Sequence, residues 1–244
     1  MKNTQTIVVQ LFYDPKIIPG SKTHSFDKAE SRHILKVLRK NPGDLLFITN
    51  GSGYLFDCEI RGQLGSICEV IIRKERFTPP NSTEVHLAVC PTKKTDRFEW
   101  LLEKATEIGL TSITPILTQR SERKILKIER LEKIVQSAMK QSLRTYLPKI
   151  NETTRLIEFL SQDFKGNKLI AHCEKGTKTL LKEVVNPRKN TLILIGPEGD
   201  FSEDEIEMAL ANGFEPIHLG DHRLRTETAA LLACTLTNAV YETF

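Results

Sequence analysis

Residues 192–214 read LILIGPEGDFSEDEIEMALANGF. Four apolar residues, Leu192 to Ile195, run into a Gly-Pro-Glu-Gly turn, and an amphipathic helical pattern follows. Strand, turn and helix in that order make one unit of an α/β fold, and ligands bind beyond the C-terminal ends of such strands. A phosphate is the usual guest of a helix N-terminus, which offers free N–H groups and a positive dipole end. Here Ser202 stands at the N-cap position with Glu205 three residues on, a capping box that uses part of those donors. Phe201 and Ile206 take the staple positions around it. Five carboxylates (Glu198, Asp200, Glu203, Asp204 and Glu205) crowd the same end. They suit the helix dipole and repel phosphate. The spacing is not G-x-G-x-x-G, and no Walker G-x-x-x-x-G-K-[ST] occurs in the chain. The turn reads either as a site for a neutral or cationic ligand held by backbone groups, or as a turn that only caps a helix.

Working outward, EVHLAVC, SITPIL, NKLIAHC, TLILI and EPIHL read as strands separated by helical segments. One helix spans Asp96 to Ile108, opened by a D-x-x-E box at Asp96 and Glu99 and closed by Gly109; another spans Ile125 to Leu143. This alternation predicts a parallel α/β sheet over 84–244. TPPNST at 78–83 is a linker by composition. Before it, TIVVQLFY, DLLFITN, GYLFDCEI and SICEVIIRKE read as short strands, with a hairpin turn at Asn50-Gly51-Ser52-Gly53. SFDKAESRHILKVLRK is a helix ending near Asn41-Pro42-Gly43. Residues 1–77 therefore predict a small β-barrel.

The last predicted strand leads into LGDHRLRTETAALLACTLTNAV, residues 219–240. Thr226 can cap a final helix, with Glu227 in its first turn. From Ala229 on this helix is apolar around much of its circumference, so it is either deeply buried or packed on another subunit. His222, Arg223 and Arg225 precede it, suited to RNA phosphate or to an anionic reaction centre, or else to salt bridges with nearby acids.

The net charge of +4 is small, but residues 1–80 hold 12 Lys+Arg against 8 Asp+Glu, while 81–244 hold 23 of each. Within the balanced part, 118–150 carry nine bases against three acids. Two basic regions suggest a polyanion partner such as nucleic acid, beside the plainer reading of a solvated helix face. The five cysteines form no C-x-x-C pair and do not cluster with the six histidines. No metal site is expected, and all five read as buried free thiols. No apolar run approaches the ~20 residues of a membrane span, and the N-terminus lacks the pattern of a signal peptide. A cytoplasmic protein is expected.

IGPEGDFSEDEI followed by LGDHRLRTETA resembles the C-terminal signature of the 16S rRNA uridine-N3 methyltransferase family (RsmE), a branch of the SPOUT methyltransferases. KKTDRFEWLLEKATEIGLTSITPILTQRSERK is similar to the family's central block, QSLRTYLP to its Gln-Ser…Arg…Pro stretch, and HILKVLRKNPGDLLFITNGSGYLFDCEI to its first domain. The resemblance implies a PUA-like RNA-binding β-barrel, then a SPOUT α/β domain with a C-terminal trefoil knot that holds S-adenosylmethionine. It also implies a homodimer and 3-methyluridine as product, at uracil-1498 of 16S rRNA in the assembled 30S subunit. Two positions depart from the family pattern. Asp200 stands where a second glycine is usual, and Asp tolerates a positive φ better than most residues. His222-Arg223 stands where Arg followed by an aliphatic residue is usual.

Carried onto this chain, the resemblance and the charge reading assign Arg225 to stabilising deprotonated uracil, with Glu227 or Glu198 as proton acceptor. His172, Leu194, Ile195, Gly196, Pro197, Gly199, Leu219, Gly220, Leu224 and Thr226 are expected at the cofactor. Arg32, Arg39, Arg120, Arg123, Lys124, Arg144 and Arg223 are expected at RNA. Two alternatives stay open: a non-catalytic RNA-binding assembly factor with the same fold, and a SPOUT methyltransferase with another RNA target.

Overall fold

The computed structural model describes residues 10–242. The chain forms two compact units. One runs to Pro80 and takes in Met139–Leu147; the other holds Asn81–Ala138 and the chain from Pro148 on.

The first unit contains β1 (Leu11–Tyr13), β2 (Thr23–Ser25), α1 (Lys28–Arg32), β3 (Leu45–Thr49), β4 (Tyr54–Leu64) and β5 (Ile67–Phe77). They form a five-stranded sheet in the order β1-β3-β4-β5-β2. β1 pairs with β3 in parallel, and the other pairs are antiparallel. The hairpin predicted around Asn50–Gly53 joins β3 to β4, in a register that sets Ile48 opposite Phe56. Both are fully buried and pack with Phe12, Phe26, Ile34 and Val70. Gly53 has φ +92, and a Cβ there would lie 2.3 Å from the Tyr146 hydroxyl, so only glycine fits. The predicted helix begins where Asp27 caps the Glu30 N–H, but only α1 is α-helical. His33–Val37 continue as a wider π-type turn. Of the predicted strand TIVVQLFY, the first four residues lie outside the described residues.

The second unit contains β6 (Val85–Val89), α2 (Thr95–Ile108), β7 (Ser112–Leu117), α3 (Ile128–Gln141, the residues from Met139 on counting with the first unit), β8 (Lys149–Ile150), β9 (Thr154–Arg155) and α4 (Leu156–Leu160). After these come β10 (Asn167–Ala171), β11 (Thr179–Leu180), α5 (Leu181–Val184), β12 (Thr191–Ile195), α6 (Glu203–Ala211), β13 (Glu215–His218) and α7 (Thr226–Glu242). The sheet order is β11-β13-β10-β12-β6-β7-β8, with β9 also on β7. Every pair is parallel, as the alternating pattern predicts. β12 is buried at all five positions. A strand covered on both faces needs an unbroken apolar run, and Leu192–Ile195 supply one after Thr191. No helix among the described residues is long and apolar enough to cross a membrane.

Several local readings are corrected. α2 starts at Thr95, with Lys94 at the cap making no side-chain bond. Asp96 accepts from the adjacent Arg97 N–H and Glu99 binds Arg130, so the D-x-x-E box does not form. α3 is shorter than predicted: Ile125 lies before it, 82% exposed, and Leu143 lies beyond it at φ +56. Four cysteines are buried, but Cys173 is exposed.

Candidate active site

The turn that opens the sequence is built as its residues predict. Ser202 caps α6, and its hydroxyl and the Glu205 side chain form the reciprocal capping box. Phe201 and Ile206 are both buried in one cluster with Leu192 and Leu194, which fixes how the chain enters the helix. The Asp200 N–H bonds the Pro197 carbonyl at 2.9 Å, closing the turn. Asp200 itself sits at φ +64, the left-handed conformation that Asp tolerates.

A cavity of about 840 Å³ opens beyond the C-terminal ends of β10, β12 and β13, three adjacent strands. Its walls are the GPEGD turn, residues 171–174, and residues 217–226. Nine of the ten expected cofactor residues line it: His172, Ile195, Gly196, Pro197, Gly199, Leu219, Gly220, Leu224 and Thr226. Leu194 is the exception. Its side chain is fully buried in the core cluster, because every residue of this covered strand packs against helices or neighbouring strands.

Thr226 is the first residue of α7, and its hydroxyl donates to the Gly196 carbonyl at 3.1 Å instead of capping. This bond joins the two motif loops. Glu198 lines the cavity and accepts the Lys93 N–H at 3.0 Å. Arg225 lines it too, exposed, with no side-chain partner among the described residues. Glu227 is absent from the cavity wall. It is 6% exposed, lies 3.7 Å from Arg97 Nε, and leaves Oε2 without a donor.

The residues expected at RNA separate in the structure. Arg120 lines the cavity but spends its guanidinium on the Gly199 and Phe201 carbonyls, at 2.8 and 3.2 Å. Arg123 binds the Lys93 carbonyl. These two hold loops together, which charge counting could not reveal. Lys124 borders a smaller depression of about 310 Å³, and Arg223 lines the main cavity. Arg32, Arg39 and Arg144 belong to the first unit.

The cavity's formal charges balance: Arg120, Lys178, Arg223 and Arg225 face Glu174, Glu198, Asp200 and Asp221. His172 presents two buried ring nitrogens with no hydrogen-bond partner. Burial holds its pKa below the ordinary 6.5, with Lys178 adding to the shift and Asp200 and Glu174 opposing it. A neutral imidazole offers one donor and one acceptor to a guest. Lys178, which no local motif flagged, donates to the His172 and Glu174 carbonyls at 3.0 and 2.5 Å. Such a volume, balanced charge and orphaned polar atoms suit a zwitterionic guest.

Residues 79–238 match the family described as RNA methyltransferase domain, and 26–63 match RNA methyltransferase PUA domain. The chain is 32% identical, over 88% of its length and 87% of the relative's, to ribosomal RNA small subunit methyltransferase E of Buchnera aphidicola. The chain belongs to the ribosomal RNA small subunit methyltransferase E family. A probable rRNA-methyltransferase from Porphyromonas gingivalis superposes with TM-score 0.89 at 37% identity, over 96% of this chain and 99% of that one. The ribosomal RNA small subunit methyltransferase E of Neisseria gonorrhoeae, solved bound to S-adenosyl methionine, superposes with TM-score 0.84 at 28% identity, over 96% of this chain and 98% of that one.

Proposed function

We propose that this chain transfers a methyl group from S-adenosylmethionine to N3 of a uridine in small-subunit ribosomal RNA, at the position named uracil-1498 of 16S rRNA. The observation that carries the reading is the cavity at the β10, β12 and β13 ends, where the two motif loops meet around a balanced set of charges. Its donors suit a zwitterion with a sulfonium, and a family member holds S-adenosyl methionine. The backbone of Ile195–Gly199 and Leu219–Leu224, with His172 and Thr226, would hold that cofactor.

When bound, the cofactor supplies an electrophilic methyl on sulfonium sulfur. The protein's part is geometry and charge. The S–CH₃ bond breaks as the N3–CH₃ bond forms, and the N3 proton must leave to a base. Arg225, exposed on the cavity wall and without a side-chain partner among the described residues, stabilises negative charge on the uracil carbonyl oxygens. Glu198, at the cavity wall, is the carboxylate favoured to take the proton; Glu227 is buried beside Arg97 and does not line the cavity.

The same reading takes the second unit as a SPOUT domain with a trefoil knot, and the first as a PUA-like barrel that grips rRNA through Arg32, Arg39 and Arg144. Arg223 and Lys124 extend that grip. The substrate is the assembled 30S subunit, in the cytoplasm. A homodimer is supported by Leu231, Leu232 and Leu236, which stay half exposed along α7.

The test uses small subunits from a strain lacking this modification, incubated with the protein and methyl-labelled S-adenosylmethionine. Labelled 3-methyluridine from the decoding region is the expected nucleoside. A different labelled nucleoside would redirect the target assignment, and no label at all would overturn the enzymatic reading.

A further inference from the structure

The GPEGD turn is held from several sides. Lys93 N–H reaches Glu198, and Arg120 holds the carbonyls of Gly199 and Phe201. A third tie leaves the turn in the other direction. Asp200 Oδ2 accepts the Cys173 N–H at 2.6 Å, while Oδ1 accepts the Phe201 N–H at 2.8 Å. Cys173 opens the loop 172–178, which Lys178 braces internally through the His172 and Glu174 carbonyls.

We propose that Asp200 is a positioning residue: its carboxylate clamps the 172–178 loop to the glycine turn and so fixes His172 against the cofactor. This rests on the cofactor reading above.

Four observations converge on it. Asp200 holds φ +64, a conformation that costs a side chain some strain and that a glycine would adopt freely. A side chain kept there must return something, and this one returns two backbone bonds from two different segments. The bond to Cys173 joins residues on β10 and β12 loops, neighbours in the sheet whose ends form one cavity wall. The loop is otherwise exposed from Cys173 to Thr177, so little packing holds it. It carries the imidazole of His172, whose nitrogens are buried with no hydrogen-bond partner among the described residues. A loop with few contacts positions such a group only if a strong bond pins its root. A carboxylate accepting a backbone N–H is of the charge-assisted kind.

Three proteins decide it: the wild type, Asp200→Gly and Asp200→Asn. Glycine keeps the left-handed turn and removes both acceptors. Asparagine keeps the turn and an acceptor oxygen. Amide hydrogen exchange at Cys173 and its neighbours reads the clamp directly, without cofactor. Calorimetric binding of S-adenosylmethionine, and KM against kcat, read its consequence. Asp200→Gly is expected to speed exchange at Cys173 and to weaken cofactor binding by about 10-fold, the loss of one charge-assisted bond. The rise in KM should exceed the fall in kcat, and Asp200→Asn, whose single amide oxygen can accept the Cys173 N–H without the charge, should recover part of both effects. Unchanged exchange at Cys173 in Asp200→Gly would overturn the clamp. Faster exchange with unaltered cofactor affinity would overturn its service to the cofactor. If the wild type bound no S-adenosylmethionine, the proposed function would fall, while the exchange comparison would still decide whether Asp200 pins the loop.

Discussion

Thr226 donates its hydroxyl to the main-chain carbonyl of Gly196 across 3.1 Å. Thr226 is 5% exposed and Gly196 is buried, so the bond is shielded from bulk solvent although both residues border the cavity. The bond sets the first turn of α7 against the glycine turn and closes one corner of the cavity.

Thr226→Val keeps the shape and removes the donor. It leaves a buried carbonyl unpaired, at a cost of about 1–3 kcal/mol. Denaturant unfolding should show that loss, and cofactor affinity should fall with it. Thr226→Ser should restore both. Valine with wild-type stability and affinity would mean that the bond contributes nothing.

Arg225 has no side-chain partner among the described residues, so its removal breaks no ion pair there. Arg225→Ala should leave cofactor binding within a few-fold while turnover falls by ~100-fold or more, the scale of a lost charge-stabilising donor. Single-turnover kinetics on unmodified small subunits measure it. Full activity would remove Arg225 from the reaction.

Glu227 and Arg97 separate structure from chemistry. Arg97→Ala strips a buried carboxylate of its nearest cation and should destabilise the second unit by about 1–3 kcal/mol. Glu227→Gln keeps the volume and removes the charge, so stability should hold. A large loss of turnover in that stable variant would move the proton acceptor from Glu198 to Glu227; unchanged turnover would leave Glu227 a structural carboxylate.

His86 predicts an acid limit to stability. It donates or accepts across 2.8 Å with the Thr114 hydroxyl and packs edge-on against Phe159. Burial, with Lys149 nearby, lowers its pKa from 6.5 to about 4. Between those values the unfolded chain binds a proton that the folded one does not, so stability rises with pH there. The contribution is complete above 6.5 and is lost progressively as pH falls towards 4, by about 3 kcal/mol at most. His86→Gln should flatten this part of the stability–pH curve in calorimetry; an identical curve would assign the acid loss elsewhere.

RNA affinity should fall steeply with salt if the basic segments contact phosphates. Arg32→Ala and Arg144→Ala should each reduce the slope of log K against log salt by about one. Arg123→Ala should change stability more than slope, because its guanidinium is committed to the Lys93 carbonyl. A slope unmoved by Arg32→Ala and by Arg144→Ala would remove those two arginines from the interface.

Much of this was legible because it is local. The unbroken apolar run of β12, the capping box at Ser202 and the αL tolerance of Asp200 each follow from a few adjacent residues and the chemistry of their own backbone. Strands alternating with helices were enough for a parallel sheet, and the two motif loops were enough for eight of the nine expected cofactor residues that line the cavity, His172 being the ninth. Short-range rules misled where another bond, near or remote, competed. Asp96 turned to its neighbour's N–H, and Thr226 turned from capping to a distant carbonyl.

Only the tertiary structure decided which charges are free to act. Arg120 and Arg123, expected at RNA from their basic segment, also bind carbonyls 79 and 30 residues away. Glu198 meets Lys93 across 105 residues, Asp200 meets Cys173 across 27, and Glu227 settles beside Arg97. Such pairs exist because the strand order β13-β10-β12-β6-β7 carries remote loops to one edge of the sheet. A hydrogen bond acts over about 3 Å, and no pattern within a single segment encodes which other segment will arrive at that distance.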